Sequence, residues 1–188
     1  MSAGFQLSRT VGSGDFTGKT ELYQIIAAGN AARLAPGDCV VITGDGDATT
    51  GRSGVTIAAQ SAAITGVIES IAPDIANESF NDIGIAASTA GTCQVITDNQ
   101  AVFEVECSAT LVVANVGLNA DAVVTAATQT GGLTSSNMTL DQGTVNTTST
   151  LQFRILRLLP GATTGTLGDR ALVRMNNTTT IAGAAGLG

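Results

Sequence analysis

Short runs of aliphatic and β-branched residues, separated by Gly, Asn, Asp and Pro, recur along this chain. CVVIT (39–43) is apolar at successive positions, the pattern of a strand buried on both faces. It follows the turn sequence APGD (35–38) and precedes a polar, Gly-rich stretch, GDGDATTGRSG (44–54). GVTIAA (54–59) and AAITGVIESI (62–71) continue with β-type residues. TCQVITD (92–98) and AVFEVEC (101–107) are separated by only Asn99 and Gln100, which predicts a hairpin. In the second of these, Phe103, Val105 and Cys107 share one face, and Val102, Glu104 and Glu106 the other. TLVVANVGL (110–118) and DAVVTAAT (121–128) extend the strand pattern. The stretch 129–150 is rich in Gly, Thr, Ser and Asn, with isolated apolar residues, and reads as a long surface loop with at most one weak strand.

Helical periodicity is scarce. TELYQIIAAGNAARLA (20–35) has the Ala and Leu content of a helix but carries Gly29-Asn30 inside it, so helix and strand–turn–strand both stay open. DIANESFNDIGIAA (74–87) has room for one helical turn. The pattern as a whole predicts an all-β fold, a β-sandwich or barrel (jelly-roll-like), with extended N- and C-terminal arms and little helix. The expected organisation is an N-terminal arm over 1–20, a single β-rich domain over 21–175 and a C-terminal tail over 176–188.

The last two apolar runs, STLQFRILRLLP (149–160) and LGDRALVRMNN (167–177), carry four of the eight basic residues. In the first, Leu151, Phe153 and Ile155 point one way, with Gln152 and Arg154 opposite. A strict period of two would turn Arg157 inward; a bulge near Ile155 returns it to the outer side. In the second, Ala171, Val173 and Met175 face the core, and Arg170, Leu172 and Arg174 face out. Glu104 and Glu106 are expected to meet Arg154 or Arg174 from a neighbouring strand. Arg154, Arg157, Arg170, Leu172, Arg174, Glu104 and Glu106 thus form a candidate subunit or capsid interface, because a planar guanidinium pairs carboxylates bidentately while its stem covers apolar surface.

Composition narrows the possible chemistry. Among 188 residues only 12% are charged and 3% aromatic, and the formal net charge is -7. Lys19 is the only lysine, and an acidic chain lacks the cations that neutralise phosphates, so no nucleic-acid partner is expected. No uninterrupted apolar run is long enough to span a bilayer, so no membrane partner is expected. The first residues lack the basic end and apolar core of a signal peptide, so synthesis and folding in a cytoplasm are expected. Cys39, Cys93 and Cys107 sit inside apolar runs and read as buried free thiols; without a CxxC pair they predict no zinc site.

Motif tests exclude more than they admit. GDFTGKT (14–20) falls one residue short of the phosphate-binding loop, whose spacing sets how many backbone amides wrap the phosphates. DGDATTG (45–51) matches a calcium loop only at Asp45 and Asp47; Thr50 and Thr56 stand where Gly and Glu are required. With no histidine, Ser-His-Asp and Cys-His catalysis are ruled out. Glu104 and Glu106 lie about 7 Å apart by strand rise, a spacing a glycosidase could use, but the aromatic platforms of a sugar site are missing. The expectation is a protein that is not an enzyme and holds no cofactor or metal.

From Val102 onward the order of features resembles a known family. VFEVE is followed by NVGLNAD (115–121), then by a GGL-containing polar loop, LQFRIL (151–156) and ALVRMNN (171–177). This order, over roughly 98–177, resembles the capsid decoration (cement) proteins of tailed bacteriophages, particularly short-tailed ones. APGDCVVITG and ITGVIESI in the N-terminal half resemble strand-forming segments of such proteins. The resemblance implies a viral structural protein on the capsid exterior, made in the bacterial host cytoplasm. It implies binding to the major capsid protein, stabilisation of the shell, and homotrimers at three-fold positions between capsomers. A head-fibre or minor shell subunit and a carbohydrate-binding adhesin module are the alternatives.

Overall fold

The computed structural model describes residues 4–10, 19–72, 83–180 and 183. The fold is all-β, and among the described residues helix is confined to three single 3-10 turns, Ala27–Gly29, Val113–Asn115 and Gln142–Thr144. The strands are β1 (Gln6–Thr10), β2 (Thr20–Ile25), β3 (Cys39–Gly46), β4 (Ser53–Ile57), β5 (Gly66–Ile71), β6 (Gly91–Ile96) and β7 (Ala101–Glu106). They continue with β8 (Asn119–Ala120), β9 (Ala122–Val123), β10 (Thr128–Thr130), β11 (Leu133–Ser135), β12 (Thr139–Leu140), β13 (Phe153–Pro160) and β14 (Leu167–Met175).

Two assemblies organise these strands. A closed barrel runs β2-β4-β3-β5-β6, with one parallel pair, β2 and β4. An open antiparallel sheet runs β1-β7-β14-β13-β8. β9 pairs with β12, and β10 with β11.

Strands apolar at successive positions are what this arrangement requires. Val40, Ile68 and Val95 point into the barrel, where they meet Tyr23, Ile25, Leu34 and Val55. Their neighbours Cys39, Val67 and Ile96 point outward and belong to a second core, shared with Phe103, Val105, Phe153, Ile155 and Val173 of the open sheet. Each of these barrel strands is therefore buried on both faces. Phe5 joins the shared core by stacking on Phe153 with ring centroids 4.3 Å apart.

Polar side chains add to the joint. Asp121 and Gln152 are fully buried. Ser61 Oγ donates to Asp121 Oδ2 at 2.6 Å, and the Gln152 main-chain N–H donates to Asp121 Oδ1 at 3.1 Å. Gln152 Nε2 donates to the carbonyls of Ala59 and Ala62, both at 2.9 Å, and its Oε1 accepts from the Ala122 N–H at 2.9 Å. The β4–β5 connection of the barrel is thereby bonded to the start of β13 in the sheet.

Several expectations are corrected. β6 and β7 do not form a hairpin: β6 pairs with β2 and β5, and β7 with β1 and β14. Barrel closure uses both edges of β6, so the chain must leave it. The exit is a tight turn in which Asp98 accepts from Gln100 N–H and Ala101 N–H. The open choice at 20–35 resolves to strand β2 followed by a 3-10 turn, with Leu34 bridging Ile85. Residues 110–118 are not a strand; Val113–Asn115 turns, capped by Asn115 Oδ1 accepting from Val112 N–H at 2.8 Å.

The stretch 129–150 is a surface loop only in part: 141–150 holds no strand and is mostly exposed, but the part before it is ordered into strands. It opens with the β10–β11 hairpin, whose two-residue turn is Gly131-Gly132 at φ +62 and +83, values that L side chains rarely adopt. Then Thr134, Ser136, Met138 and Leu140 are all buried, at strict alternation. Of the expected N-terminal arm, Gln6–Thr10 is instead an integral strand on β7. Of the expected C-terminal tail, Asn176 and Asn177 donate to the carbonyls of Ser149, Leu151 and Thr150, and Thr178 is buried and bridges Ile64. Residues 11–18, 73–82 and 184–188, and with them most of the GDFTGKT and DIANESFNDI stretches, lie outside the described residues.

The three cysteines are free thiols, Cys39 and Cys93 buried and Cys107 half-buried. Burial pushes Cys39 well above the usual thiol range and Cys93 up to about 12. Burial, then the charges of Asp169 and Glu106, push Cys107 up to about 12. A thiol reagent at neutral pH is expected to modify the native protein slowly at Cys107 and not at Cys39 or Cys93 until it unfolds. Rapid modification of two sites, followed by mass spectrometry, would show the cores to be open.

Candidate interaction face

β14 lies between β7 and β13, and their registers decide which side chains meet. Arg174 stands opposite Arg154 on β13 and opposite Val102 on β7. Val102 in turn stands opposite Arg9 on β1, and Arg154 opposite Asn119 on β8. Directly paired residues of an antiparallel sheet share a face. One row across all five strands therefore reads Arg9, Val102, Arg174, Arg154, Asn119. The expected bulge is present, as a register shift between Ile155 and Arg157, and it brings Arg157 opposite Leu172 on the same face.

Arg170 lies at the other end of this face. It forms an ion pair with Glu104 through Nη1, and its Nε donates to the Pro160 carbonyl at 2.8 Å. The expected partners of Glu104, Arg154 and Arg174, are thus replaced by Arg170. The reason is register: Leu172 stands opposite Glu104, and Arg170 opposite Glu106, so Arg170 reaches Glu104 diagonally. Arg154 Nε instead donates to Asn119 Oδ1 at 3.2 Å.

A double-mutant cycle on Arg170→Gln and Glu104→Gln is expected to give a coupling of about 0.5–1 kcal/mol, the range of a half-exposed pair. The cycle on Arg154→Gln and Glu104→Gln should give none. Equal couplings in the two cycles would contradict the register.

Two further placements differ from expectation. Gln152, expected on the outer face beside Arg154, is buried in the joint described above, because β13 begins only at Phe153. Leu172, expected to face solvent, is 6% exposed, and Val102 on the same face is fully buried. The face therefore presents guanidinium groups, with little open apolar area between them. Arg9 belongs to it and is exposed. Its only signal in the sequence is a basic residue in a short polar–apolar run near the N-terminus, far from its row partners.

Beside the start of β14, Gly168 has φ +100 and lies so close to the backbone of Leu111 that a Cβ would meet its carbonyl oxygen at 2.0 Å. This contact holds the 3-10 turn of Val113–Asn115 against the sheet, where Val112, Val113, Val116 and Leu167 are exposed. Asp169 accepts from the hydroxyls of Thr110 and Thr164, and these bonds hold its carboxyl below the usual range. The NVGLNAD and ALVRMNN stretches have structural work in this region: Asn119, Asp121, Asn176 and Asn177 all bond to the chain between 144 and 152. Comparison with known protein families, with curated proteins and with solved structures finds no match.

Proposed function

We propose that this chain is a non-enzymatic structural protein of a bacteriophage virion. It binds the outer surface of the capsid, as homotrimers at three-fold positions between capsomers of the major capsid protein, and stabilises the shell. The observation that carries this reading is the arginine row on the outer face of a rigid β-sheet in an otherwise acidic chain. Such a face suits a protein surface, since guanidinium groups on neighbouring strands can take several carboxylates at once. The exposed valines at 112, 113 and 116 with Leu167 offer apolar area for the same kind of contact. The resemblance in NVGLNAD, LQFRIL and ALVRMNN supports the virion assignment.

Co-sedimentation with expanded, undecorated capsids of the parent phage tests it. Saturable binding near the number of three-fold positions, with a raised disruption temperature of the shell, is the expected result. Failure of the folded protein to bind such capsids would overturn the reading, and a copy number far below the three-fold count would favour a head-fibre subunit.

A further inference from the structure

We propose that residues 134–138 form a strap held closed over the barrel by a proton on the buried carboxyl of Asp38, and that loss of this proton opens it. The strap leads from the β10–β11 hairpin to β12, and Thr134, Ser136 and Met138 are its buried positions. Arg33 Nη1 donates to Thr134 Oγ1 at 3.2 Å, the Ser136 hydroxyl donates to the Asp38 carboxyl, and the Cys39 main-chain N–H donates to Met138 Sδ at 3.2 Å. The last two ties lie at Asp38 and at the residue after it. The N-terminal segment packs over the same place. The Phe5 N–H donates to the Gly37 carbonyl at 3.0 Å, and Gly4 lies so close to Ser136 that a Cβ there would collide with its hydroxyl. Among the described residues, swinging the strap out breaks no pairing of the barrel or the open sheet. Only Thr134 and Ser135 belong to a strand, and that strand pairs with β10 alone.

A proton matters here because of what surrounds Asp38. It is fully buried, and its Oδ1 has no hydrogen-bond partner. The APGD turn, the strap and Gly4–Phe5 carry no basic residue to balance a charge. β3 contributes the Cys39 thiol. β5 contributes Ile68, whose N–H donates to the Asp38 carbonyl at 2.9 Å, and then Glu69, which is exposed and would oppose a second negative charge. Arg33 meets the strap at its other end, on Thr134. Burial, not a neighbouring charge, pushes the Asp38 carboxyl up to about 7. A carboxylate with one unpaired oxygen is costly in such a site, and displacing the strap lets water reach it. Met138 leaves the shared core when this happens, so the open form stays a minority. Because the closed form holds the proton more tightly than the open one, opening is rarest below about pH 4, rises with pH, and levels off above about pH 7. From pH 6 to pH 8 the open fraction should grow about tenfold.

Hydrogen exchange of the wild type and of Asp38→Asn at about pH 6 and pH 8, corrected for intrinsic rates, tests this. The reporter is the Cys39 amide, which bonds a strap atom, read against the Val95 amide in the barrel wall. In the wild type, Cys39 should be less protected than Val95 and should lose about tenfold protection between the two pH values. Its exchange should also ignore low urea, because a local opening exposes little surface. Asp38→Asn keeps the acceptor for Ala35 but binds no proton, so its Cys39 protection should be the same at both pH values. Cys39 protection that equals that of Val95 and falls with urea would mean that only global unfolding exposes it, and would overturn the proposal. So would an equal pH response in Asp38→Asn. The wild-type comparison decides the matter even if that variant does not fold.

Discussion

Replacing Gln152 with alanine is expected to cost about 2–4 kcal/mol of folding stability, because a fully buried side chain that bonds three main-chain groups is removed. Those groups are the carbonyls of Ala59 and Ala62 and the N–H of Ala122. The Ala122 group is fully buried, whereas Ala59 is exposed and Ala62 half-buried. Gln152→Glu should be about as damaging. A carboxylate could still accept from Ala122 N–H, but it would turn an oxygen toward two carbonyls and bring a second charge beside Asp121. Denaturant unfolding monitored by two probes measures both variants. A loss below about 1 kcal/mol for Gln152→Ala would mean that water replaces the side chain and that the joint is weaker than its bonds suggest.

Asp38→Asn is expected to stabilise the protein, and only above mildly acidic pH. Asp38 is fully buried at the end of the APGD turn. Its Oδ2 accepts from Ala35 N–H at 2.8 Å, while its Oδ1 has no hydrogen-bond partner. Burial pushes the carboxyl up to about 7, against smaller lowering by bonds from Ser136 and Ala35. The folded state thus holds a proton that the unfolded chain releases near the ordinary carboxyl value of 3.8. The stability from this proton is fully present below about pH 4, falls as pH rises, and is gone above about pH 7. The full span is on the order of 4 kcal/mol.

Asparagine keeps the acceptor for Ala35 and removes the charge. At about pH 8 the variant should gain about 2–4 kcal/mol, and near pH 4 it should match wild type. Thermal unfolding across that range reads the difference. An equal effect of Asp38→Asn at both ends would show that the charge is not what matters there.

The parts of this fold that read directly from the sequence are those where one residue decides. Arg157 sits out of phase with Arg154 in an otherwise alternating strand, and only a bulge reconciles them; the structure has that bulge. The β-strands at 39–43, 54–57, 66–71 and 101–106 follow from their β-branched runs. Pairing between distant strands is different, because a sequence does not display register. Arg9 meets Val102 and Arg174 only through β1 and β7, and Glu104 finds Arg170 only because Leu172 is its direct partner. Proximity alone makes TCQVITD and AVFEVEC a hairpin, whereas barrel closure uses both edges of β6.

The alternation at 134–140 is not legible in the sequence because two of its four inward positions are Thr134 and Ser136, which no hydrophobic pattern counts. Gln152 lies one residue before β13, where the strand's parity no longer applies.

The placement of β1 and β14 on opposite edges of β7 has a consequence for biosynthesis. Once Ile96 has left the ribosome, every strand of the barrel is available, and that unit can begin to form on the nascent chain. The open sheet cannot. β7 receives β1 from far upstream and β14 from far downstream, so it is flanked on both sides only after β14 has been made. Until then the apolar face of β7, with Phe103 and Val105, lacks its long partner strand. Folding of the open sheet therefore waits for β14 and is slow by its long-range connectivity, and a chaperone that shields extended apolar strands would raise the yield of native protein.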